Sequence, residues 1–200
     1  MRKSLLLLTG SILTWFFLQV SSYSYSSDPK QFITEIVDQA KIVLNSNISK
    51  DEKAKKLSEI ALKTVDIKGI GYYTLGSKRK ELSPDELKKY EDIFQKYFLK
   101  SFTSRLTDYS DPKIDVLSAE VLNEKYTIVK TLLLATDKKP EVKIDWRIYT
   151  KDPSKPLIRD LIVEGLKLAR TQKEEFASIL SSNDNDINAL FSKLEEFINQ

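Results

Sequence analysis

The chain has no cysteine and no histidine. Their absence removes disulfide frameworks, thiolate and imidazole metal sites, the Ser-His-Asp and Cys-His nucleophile systems and the histidine proton shuttle. Carboxylates, lysine, tyrosine or a Ser-Lys pair remain for enzyme chemistry, and no spacing in the sequence assembles one of them. A strong excess of one charge is missing too. The formal net charge is +3, and Arg2 and Lys3 supply two of those charges within a segment read below as removed. The remaining chain is about neutral, with no whole-surface field for holding nucleic acid.

No apolar run is long enough to span a bilayer comfortably. The longest, Leu5 to Val20, is interrupted by Gly10, Ser11, Thr14 and Gln19 and falls short of the ~20 residues a spanning helix needs. Two positive charges before it and a Ser/Tyr stretch after it give the pattern of a secretory signal peptide over residues 1–26. Small residues stand at the −3 and −1 positions of two sites, Ser22/Ser24 and Ser24/Ser26, so cleavage is expected after Ser24 or Ser26. An uncleaved anchor is the alternative reading. No cysteine follows the segment, which excludes a lipoprotein anchor. The expected product is a single exported domain, residues 27–200, without disulfides.

The whole chain is 41% hydrophobic and 30% charged, a foldable composition. Asp28, Pro29 and Gln31 open a helix over about 29–45, with Phe32, Ile33, Ile36, Val37, Ala40, Val43 and Leu44 on one stripe. Ser49 with Glu52 opens a second. A short third element begins near Asp66 and stops at Gly76. The strongest helix signal starts at Ser83-Pro84-Asp85-Glu86, and Tyr90, Ile93, Phe94, Tyr97, Phe98 and Phe102 then recur at helical spacing as far as Tyr109.

From residue 113 the period changes to two, and four strands follow: "KIDVLSAEVL", "EKYTIVKTLLLAT", "EVKIDWRIYT" and "LIRDLIVEG". Short connections between them predict an antiparallel meander. Val129, Thr131 and Leu133 in the second strand, and Val142, Ile144, Trp146 and Ile148 in the third, form uncharged sets expected to face the helices. A helix over about 166–181 and a last one capped by Asp184 complete an α+β fold: a four-stranded antiparallel meander packed against N- and C-terminal helices.

The order of these parts, with several residues in them, resembles the periplasmic phospholipid-binding proteins of the bacterial Mla (maintenance of lipid asymmetry) pathway, the toluene-tolerance family. The resemblance is carried by "VDI…LG" (65–76), "SPDELKKYEDIFQKYF" (83–98), Val129-x-Thr131, Trp146-Arg147, and Asp160 with Val163-Glu164-Gly165 leading to "KEEFASIL". The chain departs from the family pattern at Pro156, where a Trp is usual, and at Arg159, where a Tyr is usual. The basic character at Lys173 is kept.

The resemblance implies an apolar cavity between sheet and helices that holds phospholipid acyl chains, with the headgroup outside and no cofactor. The implied lining is Phe94, Phe98 and Phe102 from the long helix, Val129, Thr131, Leu133, Ile144, Trp146 and Ile148 from the sheet, and Val163 and Leu166 near the last strand's end. Tyr72, Tyr73, Lys78, Arg79 and Lys173 are expected at the mouth or in docking. The implied role is that of a monomeric carrier moving lipid between an outer-membrane lipoprotein-porin complex and the substrate-binding subunit of an inner-membrane ABC transporter. An exported chaperone or adaptor with an empty apolar groove is the alternative.

Asp160, the one acid inside the last apolar strand, lacks a partner acid, metal ligands or a nucleophile. It is therefore expected to be structural, standing opposite Trp146 or Arg147 and pairing with Arg147 on the wetter sheet face. Glu164-Gly165 is expected to end the strand and turn the chain into the next helix.

Overall fold

A computed structural model describes residues 24–109, 111–137 and 139–200. The signal-peptide reading of residues 1–23 lies outside the described residues. Helix α1 (Pro29–Asn45) starts where expected: the Asp28 carboxylate accepts from the Gln31 N–H at 2.8 Å. Helices α2 (Lys50–Thr64) and α4 (Pro84–Leu106) each begin with a reciprocal capping box, Ser49 with Glu52 and Ser83 with Glu86. Between them α3 (Ile67–Leu75) is capped by Asp66, which accepts from the Gly69 N–H. Helix α4 stops at Leu106 rather than reaching Tyr109.

The sheet has five strands in the order β1-β2-β3-β4-β5, all neighbours antiparallel. β1 (Ile114–Asn123), β2 (Tyr126–Leu133), β3 (Val142–Tyr149) and β4 (Leu157–Val163) are the expected meander. The fifth, β5 (Leu166–Lys167), occupies residues expected to open a helix, so α5 begins two residues later and spans Leu168–Ser181. The reason is the turn. Glu164 (φ 49°) and Gly165 (φ 81°) both have positive φ, the requirement of a tight two-residue hairpin, so the chain folds back along β4 before turning helical. The Glu164 carboxylate accepts from the Lys143 N–H, which holds this non-glycine residue in place.

The last helix, α6 (Ile187–Asn199), is capped by Asp186 and not by Asp184. Asp184 (φ 53°) and Asn185 (φ 57°) are left-handed and form the turn out of α5. Two larger packed groups result. One joins Phe32, Ile33, Ile36 and Val37 of α1 to Val129, Ile148 and Ile158 of the sheet. The other gathers α3, α4, α5 and α6 around Tyr90, Phe94, Phe176, Leu190 and Phe191. Val65, half-buried, packs against both.

Asp160 stands opposite Arg147 in the register, as expected, but the expected ion pair is replaced. Arg147 lies over the Tyr126 ring at 3.9 Å, while the buried Asp160 carboxylate accepts from the Ala169 N–H at 2.9 Å. Helix α5 has no side-chain cap of its own, Lys167 standing at the N-cap. An acid on β4 supplies the missing cap from across the hairpin. Burial raises its carboxyl above the usual range, against the opposing pull of the Ala169 and Leu161 N–H groups and of Arg147.

Asp160→Ala is expected to cost about 1–2 kcal/mol, the loss of a helix cap, seen as a lower urea midpoint. Asp160→Asn, which keeps an acceptor for the Ala169 N–H, should cost less. The folded carboxyl holds its proton more tightly than the unfolded one. The wild-type chain should therefore lose stability relative to the Asn variant as pH rises from the ordinary aspartate range through the raised value. Midpoints that differ by a constant amount across that range would contradict the assignment.

Candidate functional site

Register places one apolar surface across the sheet. Thr127, Val129, Thr131 and Leu133 of β2 align with Ile148, Trp146, Ile144 and Val142 of β3, and these with Ile158, Leu161 and Val163 of β4. Leu166 of β5 extends the row beside Val163. Burial is uneven along it. Val129 and Ile148 are 0% exposed and Thr131 1%, whereas Leu133, Val142, Ile144, Trp146, Leu161 and Val163 are half-buried, and Leu166 is 55% exposed.

The expected lining residues therefore separate. Val129 and Ile148 are sealed against α1, and Phe94, 2% exposed, is sealed among the helices, with its ring stacked on Tyr90 and edge-on to Phe176. These do not meet across one cavity. Phe98 and Phe102 are half-buried, stacked on each other with centroids 6.1 Å apart. With Leu133, Ile144, Trp146, Val163 and Leu166 they make up the expected residues that retain exposed apolar surface. β-Branched and aliphatic side chains on alternate strand positions account for the sheet's part of this surface.

Thr131 and Trp146, two of the residues that carried the family resemblance, are physically joined. The Thr131 hydroxyl donates to the Ile144 carbonyl at 2.8 Å and accepts from the Trp146 indole N–H at 3.0 Å. A hydroxyl at this position thus fixes the indole on the apolar face.

A second feature is polar. Tyr72, Tyr73, Arg79 and Lys173, four of the five expected mouth residues, line one open cleft of about 510 Å³ with Gly69, Gly76 and Arg159. Lys78 is not among them; it pairs with Glu81 at 3.0 Å. The basic loop is a five-residue 3-10 helix, Gly76–Lys80. It follows a corner at Gly76 whose φ of 59° and ψ of −130° suit glycine alone. Arg79 and Lys68 lie 5.1 and 5.3 Å from the Tyr72 ring centroid, and Lys173 lies 5.1 Å from that of Tyr73.

Arg159 was not anticipated as a site residue. Arg147 pairs with Asp160 and Ile148 with Ile158, so Arg159 is the extra residue of a β-bulge, and strict alternation gives no hint of where it points. Its Nε–H donates to Asp66 at 2.6 Å, its Nη1–H to the Tyr126 hydroxyl at 3.2 Å, and its guanidinium lies 3.8 Å over Tyr149. Among the described residues no group of three or more Asp or Glu is arranged to hold a metal ion. No described helix is long and apolar enough to cross a membrane.

This α+β arrangement, helices around one incompletely covered antiparallel sheet, is a fold already known. A phospholipid-binding protein from Ralstonia solanacearum, solved in complex with a phospholipid, superposes with a TM-score of 0.73 at 15% identity, over 88% of this chain and 98% of that one. Residues 33–196 match the MlaC protein family, and the chain belongs to it. No curated protein sequence matches.

Thr131→Val should leave the Trp146 N–H without its acceptor and cost about 1–2 kcal/mol, whereas Thr131→Ser, which keeps the hydroxyl, should cost less. Chemical denaturation read by Trp146 fluorescence measures both. Equal midpoints for the two variants would show that the hydroxyl does not hold the indole.

Proposed function

We propose that this protein is a periplasmic phospholipid carrier and not an enzyme. The observation that carries the reading is the apolar sheet surface left partly uncovered, Leu133, Ile144, Trp146, Leu161, Val163 and Leu166, in a fold that also leaves Phe98 and Phe102 half-exposed. Family membership supports it, as does the bound phospholipid of the Ralstonia protein. Each methylene withdrawn from water is worth ~0.8 kcal/mol, so acyl chains laid along such a surface need no specific chemistry to be held. Completely buried positions such as Val129, Ile148 and Phe94 serve as its support. Asp160, committed to the Ala169 N–H at the start of α5, acts as a structural acid.

The carrier takes lipid from one membrane complex and delivers it to another. Its proposed partners are an outer-membrane lipoprotein-porin complex and the substrate-binding subunit of an inner-membrane ABC transporter, and its effect is to maintain outer-membrane lipid asymmetry. Export by a cleaved signal peptide accompanies the reading. Of the two cleavage sites, the one after Ser24 keeps Tyr25, whose ring meets Phe32 edge-on at 5.7 Å and whose hydroxyl donates to Gln39 at 2.6 Å. Intact-mass measurement of the exported protein is expected to give a chain beginning at Tyr25; a full-length mass from the membrane fraction would contradict export as a soluble carrier.

Purified mature protein, extracted under denaturing conditions and examined by mass spectrometry, is expected to release phospholipid. Ile144→Arg places a charge on the half-exposed part of the surface. The variant should keep its circular dichroism spectrum and carry several-fold less lipid. Lipid-free wild-type protein would favour an adaptor with an empty apolar groove.

A further inference from the structure

The cleft beside α3 has a wholly cationic charged lining. Its charged lining residues are Arg79, Lys173 and Arg159, and no carboxylate lines it. The nearby acids are already engaged: Asp66 accepts from Arg159 and from the Gly69 N–H, and Glu91 accepts from Lys68 and the Tyr72 hydroxyl. Among the described residues neither Arg79 nor Lys173 has an ion pair. Arg159 has five N–H donors, of which Asp66 and Tyr126 take two, and the pair of contacts fixes its plane. Three cations are thus held at one opening without internal neutralisation of two of them.

The cleft also shows how its cations are positioned. A Cβ at Gly76 would come within 3.1 Å of the Lys173 side chain at Cε, so the bare corner lets that lysine lie against the end of α3. The bulge in β4 turns Arg159 out of the strand's alternation toward Asp66. At about 510 Å³ the cleft lies within the usual ~300–1,000 Å³ range of small-ligand sites.

We infer that this cleft, with Arg79, Lys173 and Arg159 as its donors, is a phosphate-binding subsite. A guanidinium matches phosphate oxygens with paired N–H donors, and an ammonium adds a point charge. The inference rests on the carrier reading in one respect: it identifies the phosphate as that of the cargo's headgroup. Gly69, Tyr72 and Tyr73 belong to α3, whose opposite side buries Ile67, Ile70 and Leu75 in the helical core, and Arg159 adjoins Ile158 of the sheet core. Arg159 stands at the Ile158 end of β4 and the half-exposed Val163 at the other, so the acyl chains of a headgroup seated there run along the strand to reach the uncovered apolar surface.

The test uses the mature chain and the Arg79→Gln/Lys173→Gln double variant, both surface changes that spare the apolar core. Each protein is loaded from vesicles containing equal dioleoylphosphatidylglycerol and dioleoylglycerol, which share acyl chains and differ in the phosphate headgroup. Bound lipid is then quantified by mass spectrometry. In a parallel arm inorganic phosphate is titrated calorimetrically. The expected result is a preference for phosphatidylglycerol that falls roughly tenfold in the double variant while diacylglycerol loading is unchanged, and that Lys173→Arg alone retains. Saturable binding of inorganic phosphate, lost in the double variant without a change in lipid preference, would support the subsite but assign its phosphate to solution. Lipid loading that is normal in both proteins, with unchanged preference and no phosphate binding, would overturn the subsite while leaving the carrier intact, and would give the cations to an acidic protein surface. Failure of the wild-type chain to load either lipid would overturn the carrier reading and with it the headgroup assignment.

Discussion

The apolar face of the sheet is larger than the helical surface that covers it. Phe32, Ile33, Ile36 and Val37 of α1 seal Val129, Ile148 and Ile158, but exposure rises along the same strands toward Leu133, Ile144 and Val163. A folded chain that buried all of this surface would gain stability at roughly 25 cal/mol per Å² of apolar area removed from water. This fold leaves part of that gain unrealised. Helix α4 directs its packing to α2, α3, α5 and α6, leaving the Phe98–Phe102 stack half-buried. The two sealed groups on either side are what allow a partly open surface to persist without collapse, because each has its own close-packed interior.

The connection between those groups runs through β4. On one face Ile158 and Leu161 join the α1 core; on the other Asp160 caps α5, and between them the bulge releases Arg159 toward α3. Val65 pairs with Ile158 as an isolated parallel bridge, and the Asp66 N–H donates to the Ile158 carbonyl at 2.9 Å. One short strand thereby sets the positions of α3, which lines the cleft with Gly69, Tyr72 and Tyr73, and of α5, which brings Lys173. The acid within "LIRDLIV" is a joint in the frame.

Much of this was legible in the sequence, for identifiable reasons. The capping boxes at Ser49 and Ser83 and the Asp28 cap are local devices, and all three helices begin where those residues direct. Period-two alternation found β1 to β4. Signals that depend on backbone conformation or distant partners were harder. Glu164-Gly165 reads as a strand end, yet positive φ at both residues makes a hairpin and a fifth strand. Asp184 lies two residues too early to cap α6, where it and Asn185 adopt left-handed geometry. Arg159 was invisible as a cleft residue: its partner Asp66 lies far away in sequence, and a bulge breaks the alternation that would have placed its side chain. Of the expected mouth residues, Tyr72, Tyr73, Arg79 and Lys173 converge, since α3, the 3-10 helix that follows it and α5 bring them there, while Lys78 turns to Glu81.

Where acyl chains lie is the central claim, and a photoreactive lipid addresses it directly. Mature protein loaded with a phosphatidylglycerol bearing a diazirine along one acyl chain would be irradiated, digested and sequenced by mass spectrometry. The account predicts adducts on peptides containing Phe98 and Phe102 and on those containing Ile144 and Val163. Adducts confined to the exposed edge strand, at Leu117, Val121 and Leu122, would contradict it.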